Sequence, residues 1–150
     1  MSEDDFARIT KASKKLNAAA DAATAYLLEV EKRLVSAGAG VEVDGPCIES
    51  TPYLDENGAR RSEDKSITFA KIGDKWRLVL RTKQHELTSS DPDVGDEWED
   101  LETEDAPLLD QPRDIRVKAA PVIPKLLKRI ADELERTVTA VENVTKKNGK

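Results

Sequence analysis

The sequence predicts an α+β fold in which two long antiparallel helices form a coiled-coil-like pair. A short helix and a small antiparallel β-hairpin or three-stranded sheet pack on one side of that pair. Three observations carry the prediction. Phe6, Ile9, Ser13, Leu16, Ala20, Ala23, Leu27, Val30 and Leu34 follow one another at alternating steps of three and four, with Ser13 the only polar member. That spacing is the seam of a helix. A second seam runs Leu127, Ile130, Leu134, Thr137, Val141 and Val144 near the other end of the chain. Between the seams, Ile67 to Ile72 and Lys75 to Arg81 flank Gly73-Asp74, a dipeptide suited to a two-residue hairpin turn.

The first helix is expected over 3–37. Ser2 suits the N-cap, and Glu3, Asp4 and Asp5 complement the positive end of the helix dipole. No glycine or proline follows until Gly38, which supplies a left-handed stop. The run of alanines from Ala18 to Ala25 gives the middle turns a thin profile that another helix can approach closely.

A β insertion is expected over 41–84. Val41 and Val43 alternate with Glu42, Asp44-Gly45-Pro46 is turn chemistry, and Cys47 to Tyr53 reads as a weak strand that Pro52 assigns to an edge or an end. Ala59 to Lys65 is too charged and irregular for a core strand. With Gly73-Asp74 as the turn, residues pair when their numbers sum to 147, so that Ile67 faces Leu80, Phe69 faces Leu78 and Lys71 faces Trp76. Ile67, Phe69, Trp76, Leu78 and Leu80 then cover the helices, and Lys75, Arg77, Arg81 and Lys83 form a basic opposite face, either a solvated surface or an anion or partner face.

The segment 85–109 reads as an acidic loop. Its first 21 residues hold ten carboxylates and no Lys or Arg, and what remains of the chain is slightly basic, with 24 basic against 20 acidic residues. A short helix over 112–120 is expected next, ended by a break or kink at Pro121, and a long helix over 122–146 completes a single domain of 150 residues. At 1.5 Å per residue the second helix is ~15 Å shorter than the first. Either the short helix or a second subunit fills the gap, which leaves a homo-oligomer open.

Chemical signatures are scarce. Cys47 is the single cysteine, excluding an intrachain disulfide and any cysteine-rich zinc site, and it favours a reducing, cytoplasmic setting. The acidic N-terminus is unlike a signal peptide, and no window approaches the apolar length of a membrane span. Cys47 and His85 can be written as a nucleophile and base, but no motif surrounds either. The bland alternative makes Cys47 a buried or half-buried small residue and His85 a surface one.

Gly38-Ala39-Gly40 lacks the spacing of a phosphate loop, and Asp91 to Glu102 misplaces the glycine and fifth ligand of a calcium loop. No cofactor, metal or catalytic residue is assigned. Four clustered cations without interleaved aromatics argue against direct nucleic-acid binding.

What remains is a non-catalytic protein–protein interaction module, an adaptor, accessory or assembly protein whose partner the residues do not name. One alternative is an acidic inhibitor or mimic that binds a basic or nucleic-acid-binding partner through the 85–105 stretch, with Glu97, Trp98, Glu99, Asp100 and Glu102 as the contact residues. The other is a small enzyme using Cys47 and His85.

Overall fold

A long helix, a four-stranded meander and two further helices follow one another along the chain, and the computed structural model describes residues 2–148 of it. Helix α1 spans Glu3–Ser36, with the Ser2 hydroxyl accepting from the Asp5 amide and three carboxylates in the first turn. Gly38, at φ 66°, turns the chain out of the helix. Strands β1 (Cys47–Leu54), β2 (Arg60–Ile72), β3 (Lys75–Asp91) and β4 (Gly95–Pro107) form one antiparallel sheet in the order β1-β2-β3-β4. A 3-10 turn at Leu108–Asp110 leads into α2 (Arg113–Ala119), and a second such turn at Ala120–Val122, containing Pro121, joins α2 to α3 (Ile123–Asn148).

The core forms where the root of the β2-β3 hairpin meets the helices. Ile67 faces Leu80 and Phe69 faces Leu78, in the register that the Gly73-Asp74 turn requires. These four side chains join Leu27, Val30 and Leu34 of α1, Ile115 and Ala119 of α2, and Ile123, Leu126 and Ile130 of α3 in one apolar cluster. Phe69 stacks on Trp76 with ring centroids 5.4 Å apart. On the opposite face of the same strands Thr68, Ala70 and Val79 are also buried.

The link between α1 and β1 lies along β2: Thr68 donates its hydroxyl to the Val43 carbonyl at 2.8 Å, and the Ile67 amide bonds Pro46 at 3.0 Å. Gly45 permits this approach, since a Cβ there would sit 1.6 Å from the Ile67 carbonyl oxygen.

Three expectations are corrected. The chain is α+β, but α1 and α3 do not run side by side as a coiled-coil pair. Each gives only one end to the core, the C-terminal half of α1 and the N-terminal half of α3, and α2 is the helix that packs along α1. Arg113 of α2 donates to Asn17 at 2.7 Å, and the buried Ala20 and Ala23 leave room for the contact.

The sheet, secondly, has four strands rather than three, because the acidic stretch 85–109 is not a loop. It completes β3, turns at Asp91 to Gly95 and returns as β4. Thirdly, β3 and β4 extend the β region, which runs from 47 to 107 instead of ending at 84, and the charged Ala59 to Lys65 stretch is almost wholly strand β2 while lying outside the core, as its charge requires.

Both stretches are held by cross-strand polar pairs and ladder bonds in a part of the sheet that the core does not reach, so neither shows apolar alternation. The residues that resemble a calcium loop make the β3-β4 turn, where Asp91 Oδ1 accepts from the Asp93 amide at 2.8 Å and Gly95 takes φ 94°.

Candidate functional site

Beyond Ser66 and Arg81 the sheet runs out of the core as an arm, and its rows of paired residues position the polar groups. Ser62 pairs with His85 and His85 with Asp100, which places the three in one row across β2, β3 and β4. Asp64 stands two residues from Ser62 on the same face of β2. His85 is consequently gripped from both sides: its Nδ1 lies 2.7 Å from Asp100 and its Nε2 3.1 Å from Asp64. Asp64 in turn accepts from the hydroxyls of Ser50 at 2.6 Å and Ser62 at 3.2 Å.

The expectation that His85 is a plain surface residue is corrected, since its side chain is only 18% exposed. A neutral imidazole has one N–H and satisfies one carboxylate, whereas the protonated ring donates to both.

This cluster floors a shallow concavity of about 750 Å³. Pro52 and Leu54 of β1, Arg60 of β2 and Trp98 of β4 form its walls. Both imidazole nitrogens face carboxylates, and both serine hydroxyls contact Asp64 rather than the ring. The arrangement clasps β2 to β4 across β3 and leaves no ring nitrogen directed at a nucleophile.

Cys47 does not join it. It pairs with Ser66 while His85 pairs with Ser62, so the two are offset by four residues, about 13 Å along the strands, and lie two strands apart across the sheet. Cys47 is also exposed instead of buried or half-buried; it opens the edge strand β1, and its neighbour Ile48 is the residue that packs on the core. Among the described residues no three His, Cys, Asp or Glu side chains converge as a metal site.

The four cations expected on one hairpin face diverge in their surroundings. Lys75 is exposed beside the turn, and the Arg77 Nε lies 4.0 Å from Glu31. Arg81 is bound at Nε and Nη2 by Asp105 at 2.8 and 2.9 Å, and Glu42 also accepts from it. The Asp105 hydrogen bonds hold the guanidinium above the ordinary arginine value against the desolvation of burial, with Glu42 adding to the shift. Lys83 stands half-buried in the arm. The basic face is thus partly neutralised from within.

The five acidic-stretch residues are divided as well. Trp98 and Asp100 lie on the face with His85, and Glu97 and Glu99 on the reverse face. Leu101 and Glu102 form a bulge opposite Gln84, because the pairing steps from Lys83 with Thr103 to His85 with Asp100. On the reverse face Glu99 stands directly across from Glu86, which faces Arg61 at 3.6 Å. A sequence signal for the arm did exist: Leu87 and Trp98 are the sizeable residues on either side of Asp91-Pro92-Asp93-Val94-Gly95, and they pair.

No protein-family model, curated protein or solved structure matches the chain. None of the described helices is long and apolar enough to cross a membrane.

Proposed function

We propose that the chain is a non-catalytic protein–protein interaction module of the cytoplasm that offers its acidic β3-β4 arm to a basic protein. The observation that supports this most directly is the state of β4. It is an edge strand, residues 95–104 are exposed along their length, and Trp98 and Leu101 remain 46% and 39% exposed among the carboxylates. Among the described residues Glu97, Glu99 and Glu102 have no cation within ion-pair distance. An edge lined with one charge repels a like strand and admits a surface of opposite charge. The exposed Trp98 supplies an aromatic anchor of the kind that dominates binding energy.

Deleting the stretch would remove the ladder partner of β3, so the test neutralises side chains and keeps the fold. Glu97→Gln, Glu99→Gln and Glu102→Gln are combined, leaving Asp100 in place because it holds His85. Tagged protein is used to capture partners from host extract at low and at high salt. The expected result is a basic protein that the unmodified chain retains at low salt, that salt releases, and that the triple variant loses. Equal retention of the same protein by the triple variant would overturn the reading.

A further inference from the structure

The seams of α1 and α3 continue beyond the core, and their free ends are where the molecule is least complete. Phe6 and Ile9 are 51% and 54% exposed, and Val141 and Val144 are 60% and 59% exposed. Each end is a helix of about four turns projecting with an apolar stripe, a length at which an unpartnered helix is marginal in water.

We infer that a second copy of this chain covers these stripes, with the N-terminal half of α1 in one copy lying antiparallel on the C-terminal half of α3 in the other. The inference is independent of the role given to the acidic arm.

Register and charge select this pairing. The α1 stripe steps from 6 to 9 to 13 to 16 and the α3 stripe from 134 to 137 to 141 to 144, the same spacings read in either direction. Set antiparallel, Phe6 meets Val144, Ile9 meets Val141, the polar members Ser13 and Thr137 meet each other, and Leu16 reaches Leu134, which is half-buried at the margin of the core and marks the inner end of the contact. The Thr137 hydroxyl donates to the Glu133 carbonyl at 2.9 Å and so keeps lone pairs to accept from Ser13. The acidic first turn, Glu3, Asp4 and Asp5, comes beside Lys146 and Lys147 of the last turn.

A parallel arrangement sets Ser13 against Val141 and Thr137 against Ile9, and brings Asp4 and Asp5 to Asp132 and Glu133. An antiparallel α1-α1 pair opposes Ser13 to Ile9 twice, and a parallel one sets the acidic first turn, Glu3, Asp4 and Asp5, against its own copy. Only the antiparallel α1-α3 pairing matches polar with polar and acid with base. Two copies related by a two-fold axis make the contact twice and close the assembly.

The test uses the full chain with the exposed Cys47 changed to Ser. Ile9→Cys and Val141→Cys chains, differently tagged, are mixed and oxidised, and the same pair of substitutions is made in one chain. The expected results are a mixed disulfide between the two tagged chains and a disulfide-linked dimer from the doubly substituted chain. Sedimentation of the unsubstituted chain should give twice 16.6 kDa. Glu3→Lys with Asp4→Lys should weaken the dimer roughly five-fold, and adding Lys146→Glu with Lys147→Glu should restore it. A monomer mass at every concentration, an intrachain disulfide in the doubly substituted chain, or efficient linkage of Ile9→Cys chains to each other would overturn the inference.

Discussion

Glu31 is the side chain through which α1 fastens to the sheet. The β3-β4 ladder starts at Val79 paired with Pro107, one residue too late to supply an acceptor for the Leu78 amide. Glu31 provides it, with Oε2 3.0 Å from that amide and Oε1 4.0 Å from Arg77. Leu78 is fully buried and the Glu31 side chain is 15% exposed, so water cannot readily replace the carboxylate. Truncation to alanine leaves a buried donor unpaired, at about 1 to 3 kcal/mol. It also removes a partly screened ion pair worth under about 1 kcal/mol.

An overall loss of about 2 kcal/mol lowers the melting temperature by about 4 to 8 °C for a chain of this size. Urea unfolding followed by circular dichroism measures it, and hydrogen exchange at the Leu78 amide localises it. Glu31→Gln retains an oxygen acceptor and should recover more than half of the loss. If Glu31→Ala proved no more destabilising than Glu29→Ala, an exposed neighbour on the same helix, the fastening role would be refuted.

Gly45→Ala should destabilise by about 3 kcal/mol in the same urea assay, because the new methyl and the Ile67 carbonyl cannot both keep their places; wild-type stability would contradict the close approach. His85→Ala should cost under about 1 kcal/mol, since Asp100 is 78% exposed and screened. The same substitution should nevertheless raise hydrogen exchange in β4 specifically, and adding Asp100→Ala should have little further effect if the two act as one clasp.

The legible part of the fold is the part built on apolar periodicity. The α1 seam and the root of the β2-β3 hairpin could be read because Leu27, Val30, Leu34, Ile67, Phe69, Leu78 and Leu80 are buried in one cluster, and burial is what imposes a period. The arm obeys a different rule. Its register is fixed by polar pairs such as Arg81 with Asp105 and His85 with Asp100, whose members stand 24 and 15 residues apart and form no apolar period. The clasp at His85 and the fastening role of Glu31 are not legible for the same reason. Asp64 and Asp100 stand 21 and 15 residues from His85, and Leu78 stands 47 residues from Glu31, so only the completed sheet brings them together.

Two kinds of excess therefore remain once the core is satisfied, and they differ physically. The arm is mostly polar along residues 88–104, with Val94, Trp98 and Leu101 the sizeable apolar side chains, and it is stable as a solvated ladder, since its ladder amides and carbonyls bond across strands and its charges face water. The helix ends lack that sufficiency. Buried members of the α1 seam begin at Ala20, yet the same spacing continues back through Leu16, Ile9 and Phe6, where polar residues would serve an isolated helix better in water. Apolar residues held in register beyond the core contribute nothing to the monomer. Their stabilising effect appears only when another surface removes them from solvent, which makes the helix ends the more demanding candidates for a partner and the arm the more selective one.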